Sequence, residues 1–183
     1  MMTNNTQSLM NISSTGNGNL ARLFTPEIQH WSADIIRWSS EHGLDPNMAA
    51  TVMQIESCGN PDAQSSAGAS GLFQVMPFHF LASEDAFNPE TNAFRGLAYL
   101  AKSLQASNGN ARLAFAGYNG GIGVIAQSES NWANETIRYA YWGSGIYADA
   151  QQNADISGRL NEWLTAGGSS LCVQARAKLG ITQ

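Results

Sequence analysis

Glu56 is the residue of this chain whose type and position best suit it to move a proton. It ends an apolar segment that begins with Asp45-Pro46, a typical helix start with aspartate as N-cap and proline in the first helical position. Glu56 therefore lies in the last turn, where unpaired carbonyl groups and apolar neighbours disfavour the ionised carboxylate and raise its pKa. A raised pKa keeps a proton available for general acid catalysis. Taken alone, a glutamate near a helix end is more often a solvated surface residue.

The residues after Glu56 predict a small lobe beside it. Residues 59–61 (Gly-Asn-Pro) end the helix, and the glycine-rich residues 65–71 are unsuited to a helix interior, so we expect tight, hairpin-like turns. The apolar segment 72–76 follows and is interrupted by Gln74, whose amide can donate and accept hydrogen bonds in a pocket wall. Together these features predict a cleft with a proton donor at its edge.

The chain resembles the lytic transglycosylases of the soluble (SLT) type, which share a glycoside hydrolase group with the goose-type lysozymes. The resemblance spans about residues 45–140 and rests on three blocks in the family's order: Glu56-Ser57 through Gly71-Leu72-Phe73-Gln74 to Met76-Pro77, then Gly117-Tyr118-Asn119-Gly120-Gly121, then Glu135-Thr136 with Tyr139. Three departures stand out: Phe73 replaces a common methionine, His79-Phe80 replaces the usual Thr-Ala, and Gly117 replaces an alanine. None of them removes a chemical group that the family's reaction requires.

The resemblance implies an enzyme that acts on peptidoglycan glycan strands. It would cleave the β-1,4 bond between N-acetylmuramic acid and N-acetylglucosamine and leave a 1,6-anhydro ring, with Glu56 as the single catalytic carboxylate. The substrate-binding residues that the resemblance implies are Ser57, Ser65, Gln74, Met76, Tyr118, Asn119, Gly120 and Tyr139. A hydrolytic muramidase acting on the same bond is the first alternative. A non-catalytic cell-wall-binding or phage-particle protein is the second.

The count of carboxylates favours the transglycosylase. No acidic residue occurs between Asp62 and Glu84, where goose-type lysozymes place further aspartates. The possible second carboxylates are Asp62, Glu84, Asp85 and Glu90, for each of which we favour a turn or N-cap role. His79, between two phenylalanines, is either a substrate contact or, as we favour, a packed side chain.

Composition fits one enzyme domain without a nucleic-acid partner or cofactor. The 183 residues are 43% hydrophobic, enough for one buried core. A net charge of -5 with only 13% charged residues offers no basic face for phosphates. No apolar run approaches the ~20 residues of a membrane span. The histidines show no paired ligand spacing and HExxH and CxxC are absent, so we expect no metal.

The predicted fold is mainly α, of the α+β lysozyme-like class, with a helical domain and a small β-hairpin lobe beside the cleft. Residues 1–25, rich in Asn, Ser, Thr and Gly, are interpreted as a flexible leader or linker, and residues 26–183 as the catalytic domain. Helices are expected near 26–43, 46–57, 90–106, 110–117, 120–127, 132–142, 153–166 and 170–179. We expect a monomer.

The two cysteines, Cys58 and Cys172, form one disulfide or remain two buried thiols. The resemblance places the enzyme outside the cytoplasm, where disulfides persist, so the disulfide is favoured. The leader lacks the basic start and apolar run of a secretory signal. We therefore expect a mature secreted or periplasmic form, export by another route, or association with a phage particle.

Overall fold

The computed structural model describes residues 19–182, which form a helical domain around one main hydrophobic core. The helices are α1 (Pro26–His30), α2 (Ser32–Glu41), α3 (Pro46–Glu56), α4 (Pro89–Ala106), α5 (Ala111–Gly120), α6 (Asn134–Gln151), α7 (Gly158–Trp163) and α8 (Ser169–Leu179). Short 3-10 turns cover Pro77–His79, Ile122–Ala126 and Glu129–Asn131, and a π-helical turn, Leu164–Gly168, joins α7 to α8. The mainly helical fold predicted from the sequence is confirmed.

Helix α3 is the central element and carries Glu56 as its last residue. Asp45 caps it as predicted, because its carboxylate accepts a hydrogen bond of 2.7 Å from the Asn47 amide. Residues 47–54 are all buried, so the helix runs through the core and brings its C-terminal end out at the cleft.

Helices α4, α5 and α6 build the other walls around α3. Asn88 and Asn110 cap α4 and α5 by accepting hydrogen bonds from Thr91 and Leu113. The departure at Gly117 has a steric reason, because an added Cβ would lie 2.3 Å from Ser103 Oγ on α4. The glycine lets α5 pack closely against α4 at this point.

Four predicted helices differ from the structure. The expected helix over 26–43 is broken at Trp31 into α1 and α2, and the one over 120–127 is a 3-10 turn after Gly121, whose φ is 87°. Helix α6 continues to Gln151, and α7 starts only at Gly158 behind its Ser157 cap.

The predicted β-hairpin is wrong. Within the described residues the lobe contains isolated antiparallel bridges, Gln64 with Ser70 and Ser70 with Val75, joined by turns. The Asn92 side chain on α4 supplies the missing hydrogen bonds: it accepts from the Phe73 amide at 2.8 Å and donates to the Ser70 carbonyl at 2.7 Å. A buried helix side chain therefore supplies two of the hydrogen bonds that hold the lobe where a strand ladder was expected.

The start of the catalytic domain at residue 26 is predicted from composition alone. Residues 1–18 of the predicted leader lie outside the described residues, whereas Leu23 and Phe24 are buried in the core. Packing thus begins before Pro26. In the described part of the chain, none of the helices combines the length and the apolar character needed to cross a lipid bilayer.

Candidate active site

Glu56 lies in an open cavity of about 450 Å³ between α3, α5, α6 and the π-helical turn. The cavity is lined by Ile55, Glu56, Asn119, Glu135, Arg138, Tyr139, Trp142 and Ala166. The side chain of Glu56 is partly exposed, and the wall around it combines apolar side chains with one second carboxyl group and one guanidinium. The cleft predicted beside Glu56 is therefore present, and its wall carries both polar and apolar side chains.

Burial raises the pKa of Glu56 to about 8. The Tyr139 hydroxyl acts in the opposite direction by stabilising the carboxylate, and the negative charge of Glu135 raises the pKa further. At neutral pH Glu56 is consequently protonated. The direction agrees with the sequence-based expectation, and of the two causes expected there, burial among neighbouring side chains is the leading one.

Tyr139 lines the same cavity, and its hydroxyl favours the ionised form of Glu56. Its ring is buried and stacks on the Tyr118 ring, with centroids 6.4 Å apart and planes inclined by 20°. Its hydroxyl oxygen is buried and has no well-formed hydrogen bond to any described residue. Burial and the charge of Glu56 raise the pKa of Tyr139 well above its usual value, so the hydroxyl stays a donor. A buried donor without a partner beside Glu56 is available to the carboxylate or to a ligand.

Asn119, near the end of α5, forms the adjoining wall, and Gly120 follows it as the last residue of the helix. The Asn119 side-chain oxygen accepts a hydrogen bond of 2.9 Å from Thr136 Oγ1, which fixes the amide in the cavity. A Cβ on Gly120 would come within 2.7 Å of the same Thr136 oxygen. The structure thus brings Asn119 and Tyr139 together with Glu56, as expected.

Gln74, Met76 and Tyr118 line a neighbouring and smaller cavity of about 50 Å³. Gln74 has a left-handed φ of 45°, and its amide nitrogen donates to the Ala63 and Gly71 carbonyls, each at 3.0 Å. Tyr118 donates to the Phe73 carbonyl at 2.7 Å. The predicted cluster is therefore divided between two cavities, which meet at the Tyr118–Tyr139 stack.

Two further residues expected to bind substrate are tied to the protein backbone. Ser57 is fully buried, and its hydroxyl donates to the Leu72 carbonyl at 2.7 Å. The Ser65 hydroxyl accepts from the Ala69 amide at 3.0 Å. The Ser57 bond holds the lobe against the end of α3, and the Ser65 bond closes a turn within the lobe. A direct substrate contact by either serine stays a prediction.

The end of α3 is also fixed from the opposite side. Cys58 and Cys172 form a disulfide with their Cα atoms 4.9 Å apart, and Trp31 Nε1 donates to the Gly59 carbonyl at 2.9 Å. The loop of 114 residues that the disulfide closes corresponds to about 4.7 kcal/mol in the chain-entropy model. Glu27 lies close to both sulfurs, and this is the group of possible metal ligands among residues 19–182. With its sulfurs in a disulfide, the group lacks the thiolates that bind metals.

The possible second carboxylates considered from the sequence are engaged elsewhere. Asp62 pairs with Lys178, Glu84 with Arg95 at 2.6 Å, Glu90 with Arg37 at 2.5 Å, and Asp85 accepts from the Phe87 amide at 2.9 Å. None of the four lines the Glu56 cavity.

Sequence reasoning missed Glu135, Arg138 and Trp142 as cavity residues. They follow one another on α6 at spacings of three and four, with Tyr139 between them, which places all four on one helix face. This periodicity around Tyr139 was the available signal.

Most of the sequence that builds this site matches a known protein family. The family model described as "Transglycosylase SLT domain" matches residues 34–141. The chain is 35% identical over 111 residues to a transglycosylase of Enterobacteria phage PRD1, covering 60% of this chain and 40% of that protein. It is 31% identical over 117 residues to the soluble lytic murein transglycosylase of Escherichia coli K12, covering 57% of this chain and 18% of that one. The chain thus spans less than half the length of these relatives.

A solved structure shares the fold. The 70 kDa soluble lytic transglycosylase of Escherichia coli superposes with a TM-score of 0.50 at 23% identity, over 82% of this chain and 25% of that one. At this identity the likeness shows the fold alone.

Proposed function

The chain belongs to the transglycosylase SLT domain family, and on this premise we propose that it cleaves peptidoglycan glycan strands with Glu56 as the single catalytic carboxylate. The observation that carries the proposal is the state of this side chain. Glu56 lines an open cavity and has a pKa of about 8, so it holds a transferable proton at neutral pH. An ion pair would have the opposite effect, because Arg37 lowers the pKa of Glu90 and keeps that carboxylate ionised.

In the proposed reaction Glu56 acts twice. It first donates its proton to the glycosidic oxygen, and N-acetylglucosamine leaves as the free alcohol while the acetamido carbonyl of N-acetylmuramic acid stabilises the cationic C1. The ionised Glu56 then removes the proton of the muramoyl C6 hydroxyl, whose oxygen attacks C1 and closes the 1,6-anhydro ring. The proton lost in the first step returns in the second, and no water is consumed.

The neighbours of Glu56 suit both steps. The Tyr139 hydroxyl can donate to the carboxylate that exists between them, and the Asn119 amide, held by Thr136, can orient the acetamido group or a ring hydroxyl. The conjugate base of an acid with a pKa of about 8 is also a far stronger base than an ordinary carboxylate, which favours removal of the C6 proton.

Hydrolysis of the same bond is the second candidate, and one observation favours it. Glu135 lines the same cavity as Glu56, so a second carboxylate is available to activate a water molecule. Against it, Glu135 is exposed on the first turn of α6, so its carboxylate is free to turn into solvent instead of being held against a bound water.

The site of action follows from the substrate. Peptidoglycan lies outside the cytoplasm, so we propose that the chain works there, either exported or carried by a phage particle. The phage relative makes the second route a concrete possibility for this chain.

The test is the mass of the products released from purified glycan strands. We expect muropeptides lighter by one water than the hydrolytic products, and none with Glu56→Gln. Glu41→Gln is the matched control, because it removes a carboxylate that also ends a helix but is exposed and away from the cavity. Products with free reducing ends would support the muramidase, and no loss of turbidity from a cell-wall suspension would support the non-catalytic protein.

A further inference from the structure

A continuous series of aromatic rings runs from the Glu56 cavity to the outer surface of the lobe. Beginning at Tyr139, the ring centroids are 6.4 Å apart to Tyr118, 5.8 Å on to Tyr99, 4.9 Å to His79 and 4.5 Å to Phe78. Each step lies within the range of direct ring contact. The series passes along the smaller cavity, whose wall includes His79, Tyr99 and Tyr118.

The outer end of this series is open to solvent. Phe78 is 75% exposed, and Leu81, three residues later, is 62% exposed. A single exposed apolar side chain is common on protein surfaces, but Phe78 continues a row of rings that lines a cavity, and aromatic linings are typical of ligand sites. The inner end of the series is Tyr139, which lines the Glu56 cavity, so one extended ligand can span both surfaces.

The charge state of His79 also suits contact with an uncharged sugar ring. Partial burial, and then the positive charge of Lys102, lower the pKa of His79, so the imidazole is neutral at pH 7. A neutral His79 between Phe78 and Tyr99 presents a third flat, uncharged surface. The sequence places His79 where the family usually has threonine, so this ring departs from the common pattern.

We propose that Phe78, His79 and Tyr99 form an additional carbohydrate subsite that binds a sugar ring of the glycan strand away from the bond being cleaved. The inference rests on the proposed function. The apolar C–H face of a pyranose would stack on the rings, while its hydroxyl groups remain in solvent or contact the edge of the groove. The peptide stems of peptidoglycan carry carboxylates, for which this aromatic surface is a poorer match than for a sugar face.

The subsite predicts that binding depends on glycan length. In the Glu56→Gln background, which binds without cleaving, Phe78→Ala should weaken the binding of a long stem-free glycan about three- to tenfold and leave a short one unchanged. His79→Thr, which introduces the residue typical of the family, should act in the same direction. Ile156→Ala is the matched control, because Ile156 is also 75% exposed but lies in the loop between α6 and α7.

A second measurement separates this inference from the proposed function. With Glu56 intact, Phe78→Ala should raise KM for long strands and leave kcat unchanged, because the ring contacts substrate and transition state alike. Unchanged affinity and KM for long glycans would overturn the subsite. A loss of affinity seen only with glycans that carry peptide stems would overturn the carbohydrate subsite in favour of a peptide-binding site. Residual cleavage by Glu56→Gln would instead refute the catalytic assignment and leave the length dependence to be judged separately.

Discussion

The stability of the Glu56→Gln variant depends on pH in a way that tests the state of this side chain. In the folded protein the pKa of Glu56 is about 8, against an ordinary value of 4.5 in the unfolded chain. The folded state therefore binds the proton more tightly. Below pH 4.5 Glu56 is protonated in both the folded and the unfolded state, so it does not lower the stability of the fold. Between pH 4.5 and 8 the unfolded state loses its proton first, and it is therefore favoured more and more as the pH rises.

The size of the effect follows from the two values. At pH 7 the unfolded carboxyl group is almost fully ionised and the folded one is almost fully protonated, which corresponds to about 3 kcal/mol of lost stability. Glu56 is partly exposed in its cavity, so solvent screening reduces this figure, and we expect about 1 to 3 kcal/mol. Glutamine has nearly the same shape and carries no charge, so Glu56→Gln should recover this amount.

The assay is urea unfolding followed by tryptophan fluorescence, with the disulfide kept oxidised, at pH 4 and at pH 7. The free energy of unfolding should be similar for Glu56→Gln and the unsubstituted protein at pH 4, and higher for the variant at pH 7. Glu41→Gln, on the exposed end of α2, should change it by less than about 0.5 kcal/mol at both. A variant destabilised at pH 7 would show that Glu56 is ionised and held by a partner, and would refute the reasoning.

Four further predictions follow from the same contacts. Glu56→Gln should lower glycan cleavage by up to about 10,000-fold, since one group serves as both acid and base, and activity within tenfold of the unsubstituted protein would exclude that role. The alkaline limb of the kcat/KM profile should lie near the Glu56 pKa of about 8, with activity falling as pH rises. Glu135→Gln should move the alkaline limb to lower pH, because it removes a negative charge near Glu56. Tyr139→Phe should move the limb to higher pH, because it removes a hydrogen-bond donor to the carboxylate. Shifts of both variants in the same direction would contradict these contacts. Mass analysis of the alkylated, non-reduced protein should find no label on Cys58 or Cys172, and two labelled cysteines would reject the disulfide. In a denaturant titration, Cys172→Ser should lower the free energy of unfolding by about 2 to 5 kcal/mol.

Local sequence signals predicted the element that carries the chemistry. The cap at Asp45, the proline after it and the glycine-rich turn beyond Glu56 are all short-range features, so the position of Glu56 at a helix end could be derived without a fold. The family blocks added Asn119 and Tyr139, which the structure does bring to the same cavity.

What could not be predicted depends on contacts between distant residues. In the lobe, Asn92 makes hydrogen bonds that a strand ladder was expected to make. No local sequence pattern predicts that a helix side chain will replace sheet hydrogen bonds. The buried Glu27 receives a hydrogen bond of 2.6 Å from Arg176, which lies 149 residues away. Glu135 escaped notice as an acidic neighbour of Glu56 because only the packing of α6 against α3 brings the two carboxyl groups together.

Cleavage of purified glycan strands in water enriched with ¹⁸O tests the central claim most directly. If Glu56 transfers the proton of the muramoyl C6 hydroxyl and this oxygen attacks C1, every oxygen of the new chain end comes from the substrate. The product should then carry the mass of a 1,6-anhydro end and contain no heavy oxygen. Incorporation of one ¹⁸O at the new muramoyl end would show that water attacks C1, and the chain would be a hydrolase.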